Sequence, residues 1–372
     1  MASVIALDEV RQLGQSIWLD ELNRELLRSG ELGRLIDHVG LSGVFSKLGS
    51  QRARGWDPSY RADIRRLHAS GATPEHIYEQ LLLQDAREAA DQLHCVYRRS
   101  AHRDGFVSLE VSPLLAANTA ETVQEAMRLW RAVDRPNAMI EVPATREGLP
   151  ALQQLIGAGI NVNATLLFGV NRYREVLDAF AAGLEQRSSA GGNIDRIASV
   201  ASMCVSPIDR LIDDRLSKIR DPERLGRARS LMGQAGTQVA RFAYQDFKKF
   251  LASPRWQVLA TYGASPQRLL WASTDTANPA LGDVKYPDAL IGRGTVMTLS
   301  LATMAAFRDH GRPALNLETA LYDVAALPSD LLSRGIDLEQ LSQQLQTEAL
   351  GKAAESSKAL IADISAICRL VE

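Results

Sequence analysis

Residues 138–168 read AMIEVPATREGLPALQQLIGAGINVNATLLF, and this stretch decides the fold. Its two short apolar runs, at 138–142 and 161–168, suit buried parallel strands because they are rich in Val, Ile, Leu and Phe. Between them, 146–157 has the apolar spacing of an amphipathic helix. Strand, helix and strand in this order predict a parallel strand pair joined by a crossover helix.

The same alternation continues along the whole chain and predicts a closed (β/α)8 barrel. The predicted strands lie at 16–20, 43–47, 107–111, 138–142, 161–168, 198–205, 268–273 and 295–299. The stretches 119–132 and 172–184 also have helical spacing. A Rossmann fold is the alternative, but its Gly-x-Gly-x-x-Gly motif is absent, since Val162 stands where Gly157-Ala-Gly159 would need a third glycine.

The domain organisation follows from the spacing of these strands. We expect residues 1–372 to form a single barrel domain, since no linker or low-complexity tract divides them. Helical insertions are predicted at about 48–106 and 206–267. A C-terminal helix, at about 337–371, is expected to pack outside the barrel, and its leucines make it a candidate homodimer surface.

Composition excludes several classes of protein. The 372 residues are 46% hydrophobic and 23% charged, as in soluble globular proteins, and their net charge of -2 supplies no basic field for a nucleic acid. Three widely spaced cysteines exclude a disulfide framework. The start lacks a signal-peptide pattern, and the longest uncharged stretch, 148–171, contains Gln and Asn. We expect a cytoplasmic protein without a nucleic-acid or membrane partner.

Polar residues at the carboxyl ends of the predicted strands are candidates for a substrate site, because barrel enzymes build their active sites there. The candidates are Asp20, Lys47, Glu110, Glu141, Asn163, Thr165, Ser206, Asp209, Ser273 and Asp275. Ionisable groups inside apolar runs need partners or a purpose. One alternative is purely structural: the carboxylates pair with Lys47, Arg172 or Arg210 and close the barrel.

Several ordered motifs resemble the transaldolase family, specifically its longer bacterial members, over nearly the whole chain. The matching motifs are Gln15-Ser-Ile-Trp-Leu-Asp20, Val107-Ser-Leu-Glu-Val-Ser-Pro113, Val142-Pro-Ala-Thr-Arg-Glu-Gly-Leu-Pro150, Gly159-Ile-Asn-Val-Asn-Ala-Thr-Leu-Leu-Phe168, Leu270-Trp-Ala-Ser-Thr274 and Asp283-Val-Lys-Tyr286. The resemblance implies a transaldolase-type barrel. It also implies transfer of a dihydroxyacetone unit between sugar phosphates through a lysine Schiff base, with no metal and no cofactor.

The resemblance assigns roles to individual residues. Asp20 matches the family's acid/base aspartate. Glu110 and Thr165 match the pair that positions the catalytic water, and Asn163 matches a substrate hydroxyl contact. The family's Lys-(Ile/Val)-Pro-Ala-Thr motif, however, reads Glu141-Val-Pro-Ala-Thr145 here. A carboxylate cannot form an imine, so the Schiff base is lost at this position.

Further departures lie at the same end of the barrel. The sugar-contacting asparagine after strand two is Lys47, and the serine that closes the fifth-strand motif is Gly169. The phosphate-binding Ser-Arg after strand six reads Ser206-Pro207, which leaves Arg210 as a nearby candidate cation. The Ser-Thr-Gly-Thr-Lys after strand seven reads Ser273-Thr-Asp-Thr-Ala277, and the Asn-Thr-Met-Pro of strand eight reads Met297-Thr-Leu-Ser300. We interpret these changes as a remade pocket for a different small metabolite, phosphorylated or not, in specialised metabolism.

Four hypotheses remain open from the sequence. In the first, Lys47 pairs with Glu141, and the clustered carboxylates perform acid/base chemistry. In the second, Lys47 is a relocated Schiff-base lysine for aldol transfer. The third has Asp20, Glu110, Glu141 and Asp275 bind Mg²⁺ while Arg52 and Arg54 hold a departing diphosphate. In the fourth, the chain is a pseudoenzyme that binds a metabolite or a protein.

Overall fold

The barrel consists of eight parallel strands. The structure, a computed structural model, describes residues 5–48, 56–219, 231–276, 278, 281–319 and 321–370. Neighbouring strands pair in chain order, and the eighth pairs with the first. The strands are β1 Ser16–Leu19, β2 Gly43–Ser46, β3 Phe106–Glu110, β4 Ala138–Pro143, β5 Val162–Leu167, β6 Ser199–Cys204, β7 Arg268–Ala272 and β8 Val296–Leu299. The predicted (β/α)8 barrel is confirmed, and each predicted strand end lies within one residue of the observed end.

Helices surround this barrel. They are α1 Ile5–Gln12, α2 Arg24–Arg28, α3 Glu31–Arg34, α4 Pro58–Ala69, α5 Pro74–Arg99, α6 Thr119–Val133, α7 Gly148–Gly157, α8 Val170–Ser189, α9 Ser206–Ser217, α10 Ala235–Ala252, α11 Pro254–Thr261, α12 Lys285–Ala289, α13 Leu301–His310, α14 Leu321–Leu332 and α15 Leu338–Arg369. Helices α4 and α5 occupy the insertion before β3, and α9 to α11 occupy the one before β7. Among the helices that the structure describes, none is long and apolar enough to span a bilayer.

The two long helices nearest the functional end begin at local capping residues. The Thr73 hydroxyl accepts from the His76 amide, and Pro74 follows as the first helical residue of α5. The Asp337 carboxylate accepts from the Glu339 amide at 2.8 Å and so starts α15. These caps fix where each helix begins beside the barrel.

The barrel interior changes from apolar to charged along its axis. At one end, aromatic and aliphatic side chains fill it: Trp18, Phe45, Phe106, Met139, Val200, Leu270 and Val296. A polar layer follows, in which Asn163 donates to Ser108 Oγ at 3.0 Å and accepts from Ser202 Oγ at 2.6 Å. Ionisable residues lie beyond it, at the carboxyl ends of the strands, which we call the barrel mouth. Because side chains alternate along each strand, the same inward rows supply all three layers.

The C-terminal helix reaches further than expected. Besides packing against α4 and α5 outside the strands, α15 extends to the barrel mouth, where Gln346 Nε2 donates to Ala144 O at 2.9 Å and to Leu166 O at 3.1 Å. The main-chain carbonyls that emerge from β4 and β5 need partners, and this side chain supplies them. Leu345 and Leu360 of this helix are buried within the chain, and a homodimer formed through α15 stays a prediction.

A buried ionic network fixes α4 and α5 beside the barrel. Arg24 is almost fully buried and forms ion pairs with Asp85 at 2.7 Å and with Asp63 at 2.6 Å. The Tyr60 hydroxyl donates to the second oxygen of Asp85 at 2.5 Å. Because a buried charge is costly without partners, this network strongly favours one placement of the two helices.

Candidate active site

Four ionisable side chains from neighbouring strands meet at the barrel mouth. Glu110 and Glu141 are aligned in the β3–β4 register. Asp20 and Lys47 follow β1 and β2 by one residue, and both interact electrostatically with the Glu141 charge. Since the strands are parallel, their carboxyl ends converge, which is why candidates distant in sequence come together.

Glu141 is the most deeply buried member of this group. Its residue exposure is 1%, and its Oε1 atom has no hydrogen-bond partner among the described residues. Burial raises the pKa of the Glu141 carboxyl to about 7; Lys47 opposes this rise, and the Glu110 charge adds to it. A carboxyl group with this pKa can both donate and accept a proton near neutrality.

Lys47 supplies the positive charge of the mouth. Its side chain is accessible to solvent and lies 4.9 Å from the centre of the Phe45 ring. Surrounding protein disfavours its charge, but the nearby carboxylates, Glu141 foremost, outweigh this effect and raise the pKa of the ammonium above its ordinary value. Lys47 is therefore protonated at neutral pH, which makes it a poor nucleophile.

The distance between the charges distinguishes this site from a simple structural ion pair. No carboxylate oxygen in the described part of the chain lies within 4.0 Å of Lys47 Nζ. Arg172, the second cation proposed to close the barrel, pairs with Glu175 of its own helix at 2.7 Å. The third, Arg210, is exposed on α9. Among the described residues, none of these three cations forms a direct ion pair with a carboxylate at a strand end, so the structure gives the strand-closing alternative no support.

Two more acids share the environment of Glu141. Burial raises the pKa of Asp20, with Lys47 opposing and Asp275 adding to the rise. Burial likewise raises the pKa of Glu110, again with Lys47 opposing. The mouth thus concentrates protonatable carboxyl groups around one ammonium group, as in sites that perform acid/base chemistry.

Asn163 and Thr165 occupy different depths. Asn163 is fully buried in the polar layer below the carboxylates, where Ser108 and Ser202 orient its amide. Thr165 is 8% exposed and aligns with Pro143 of β4. The two serines escaped the sequence analysis because a serine inside a strand does not reveal which side chain it will orient.

The candidates after β6 and β7 form a separate group of contacts. Ser206 begins α9, and its amide donates to Ser273 O at 3.1 Å. Ser273 also hydrogen-bonds to Cys204, whose pKa burial raises to about 11, so this thiol is not an activated nucleophile. Asp275 is exposed and accepts from Ser300 Oγ at 2.9 Å, beside the first turn of α13. Arg52 and Arg54 lie outside the described residues.

Asp209 has a structural role. Its buried carboxylate accepts from Lys285 Nζ at 2.8 Å, from the Tyr286 hydroxyl at 2.7 Å and from the Gly236 amide at 2.7 Å. These three bonds join α9, α10 and α12. The carboxylate is thereby occupied by partners within the fold, which removes it from the set of reacting groups.

The proposed magnesium ligands are not gathered as a ligand group. Within the ranges that the structure describes, no group of three or more His, Cys, Asp or Glu residues is arranged to hold a metal ion, and this includes Asp20, Glu110, Glu141 and Asp275. The Lys47 ammonium supplies a cation among three of these carboxylates. Binding of magnesium by this set stays a prediction.

Comparison with known proteins assigns the family. The family model described as Transaldolase/Fructose-6-phosphate aldolase matches residues 17–364. The chain belongs to the transaldolase family. It is 43% identical over 357 residues to a transaldolase of Thiobacillus denitrificans, with 96% of this chain and 98% of that protein aligned.

Other transaldolases align over similar lengths. A transaldolase of Frankia alni is 40% identical over 361 residues, which cover 96% of each chain. Transaldolase 2 of a Nostoc species is 39% identical over 371 residues, covering 98% of this chain and 97% of that protein. The transaldolase similarity thus covers the barrel and most of α15, and the residues at the mouth can be compared within one common scaffold.

Proposed function

We propose that this transaldolase-family chain is an enzyme that performs carboxylate-based acid/base chemistry on a small metabolite. In this proposal Glu141 transfers the proton, and Lys47 acts as its electrostatic partner. The observation that carries the proposal is the Glu141 carboxyl itself: it is buried, has a pKa of about 7 and keeps Oε1 without a partner among the described residues. A proton donor requires an available oxygen and a pKa near the working pH.

Other groups in the mouth support this assignment. Burial raises the pKa of Asp20 and of Glu110, as it does for Glu141. In both residues the nearby positive charge of Lys47 opposes this rise. As a substrate proton moves to or from Glu141, the Lys47 ammonium stabilises the carboxylate form. No carboxylate of the described residues holds Lys47 Nζ in a direct ion pair, which supports a role for the ammonium towards a substrate.

The alternative of a relocated Schiff base is less well supported. Imine formation requires a neutral amine, whereas the surrounding carboxylates keep Lys47 protonated at neutral pH. Glu141 or another nearby carboxylate would also have to take a proton from the Lys47 ammonium before the amine could attack a carbonyl. The acid/base proposal needs neither change.

Proton transfer next to a carbonyl group gives a direct test. The purified chain is incubated in D2O with dihydroxyacetone, fructose 6-phosphate and simple hydroxyketones, and deuterium uptake at the carbon beside the carbonyl is followed by NMR. Glu141→Gln keeps the shape but cannot exchange a proton, so we expect uptake to fall at least a hundredfold. Glu9→Gln, which makes the same change on the exposed face of α1, is the matched control.

Borohydride trapping separates the two enzyme hypotheses. After incubation with dihydroxyacetone and borohydride, we expect no adduct on Lys47, while a working transaldolase treated in parallel is trapped. An adduct mapped to Lys47 by mass spectrometry would overturn the acid/base proposal in favour of the relocated imine. Ligand binding without deuterium uptake from any substrate would instead indicate a non-catalytic binding protein.

A further inference from the structure

A cavity of about 460 Å³ lies beside Lys47 and Glu110, away from the centre of the barrel mouth. We call it the side cavity. Its walls come from the ends of β2 and β3 and from helices α5 and α15. A volume of this size matches that of pockets that hold small molecules.

The inner walls of the side cavity are apolar. Leu48, Leu83, Leu109 and Leu360 are each at most 3% exposed, and Ile361 adds a further aliphatic side chain from α15. Such walls exclude water and favour hydrocarbon over polar groups. At the inner end these walls meet the charged side chains of Lys47 and Glu110.

The outer rim is polar but largely satisfied by contacts within the fold. Arg128 pairs with Glu79 at 2.5 Å and with Glu125 at 2.9 Å. The Tyr78 hydroxyl hydrogen-bonds to Ser357 and so links α5 to α15. Burial and the Glu110 charge raise the pKa of Tyr78 to about 12, which keeps this hydroxyl neutral. Lys47 and the exposed Lys358 are the cations among the lining residues, whereas Glu75 and Glu110 remain as acids beside the two that Arg128 pairs, so the lining provides no excess positive charge for an anionic occupant.

We propose that the side cavity binds an uncharged hydrocarbon part of the substrate, while the reacting polar group of the same molecule lies between Lys47 and the mouth carboxylates. The inference rests on the proposed acid/base function and adds the substrate class: a neutral carbonyl compound with an apolar arm. Because Lys47 and Glu110 line the side cavity, one molecule can contact the apolar walls and these charged groups at the same time.

Binding of a neutral probe tests the side cavity without any reaction. The probe is N-phenyl-1-naphthylamine, whose fluorescence increases in apolar surroundings. We expect saturable binding that weakens at least tenfold in Ala353→Phe, because the new ring fills the cavity from α15. Ala362→Phe places the same ring on the exposed part of this helix and leaves binding unchanged.

Folding and chain length complete the test. Circular dichroism confirms that each variant is folded, and Ser356→Phe provides a second filled cavity. Deuterium uptake is then measured for 1-hydroxy-2-alkanones of increasing chain length. Each methylene that enters the cavity should increase kcat/KM by up to about fourfold. We expect Ala353→Phe to abolish this dependence on chain length and Ala362→Phe to retain it.

The outcomes separate the two proposals. Uptake that requires Glu141 but does not depend on chain length leaves the acid/base function standing and overturns the apolar-arm inference. Probe binding that is unchanged in both filled variants also overturns it. If the probe binds in the cavity but no alkanone exchanges, the acid/base function fails and the assignment of a substrate arm fails with it.

Discussion

The Glu141 carboxyl couples the stability of the fold to pH. Its pKa rises from an ordinary 4.5 to about 7, so between these values the folded chain holds a proton that the unfolded chain has released. Stability contributed by this group is therefore present at low pH and is lost as the pH rises towards 7.

Replacement of Glu141 should remove that dependence. We expect Glu141→Gln to gain stability relative to the unmodified chain between pH 5 and pH 8, by at most about 3 kcal/mol. Urea unfolding at both pH values measures the difference. Glu147→Gln, on the exterior near the start of α7, is the control, and an equal change in both variants would contradict the assignment.

A lysine introduced at position 141 of β4 tests whether an amine there can form an imine. In Glu141→Lys the new amine is buried near Lys47, and both burial and the like charge lower its pKa. We expect borohydride to trap dihydroxyacetone on residue 141 of this variant, as seen by peptide mass mapping. An adduct on Lys47 alone would show that the β2 lysine is the more reactive amine.

At the scale of secondary-structure elements, Gly169 allows α15 to approach the end of β5. A Cβ atom on Gly169 would lie 2.7 Å from Ser342 Oγ and 2.9 Å from its Cβ, closer than van der Waals contact allows. The residue has an extended backbone, φ -151°, so packing and not conformation requires the glycine. A serine side chain at position 169 would not fit beside Ser342.

This close approach gives a prediction about the helix. We expect Gly169→Ser to destabilise the fold by about 2 kcal/mol and to increase amide hydrogen exchange in α15, through overpacking. Adding Ser342→Gly should recover part of the loss. The control Gly351→Ala has open space around its Cβ within α15 and should stabilise by up to about 1 kcal/mol. Unchanged exchange in Gly169→Ser would contradict the packing account.

At the scale of the whole molecule, an ionic network closes the barrel at the end opposite the mouth. Arg268 of β7 pairs with Asp104 at 2.9 Å and donates to Ser16 Oγ of β1 at 2.6 Å. Ser16 Oγ in turn donates to Asp104 at 2.8 Å. The network therefore connects the first and seventh strands and the segment before β3.

Loss of this network should affect the fold globally. We expect Arg268→Met to cost about 3 kcal/mol, because Asp104 keeps a partly buried charge without its partner. Arg11→Met breaks an exposed ion pair to Asp8 and should cost less than about 1 kcal/mol. Thermal unfolding compares the two, and equal losses would show that burial does not determine the effect.

The pattern of apolar residues in the sequence predicted the barrel well, because each strand is a short apolar run between helices. Strands β4 and β5 show this most clearly. It also identified Glu141 and Lys47, since charged residues in or beside such runs stand out. It did not show that α15 extends to the barrel mouth, because this depends on contacts such as those of Gln346, about 180 to 200 residues from its partners. Contacts at that separation leave no periodic signal in the sequence.

The position of α15 also orders events during synthesis of the chain. All eight strands have been translated by Leu299, but the wall that Leu360 and Ile361 give to the side cavity is made later. A nascent chain that has emerged only as far as α14 thus carries every barrel strand while this wall is still missing. Ligand recognition would then depend on the later arrival of α15.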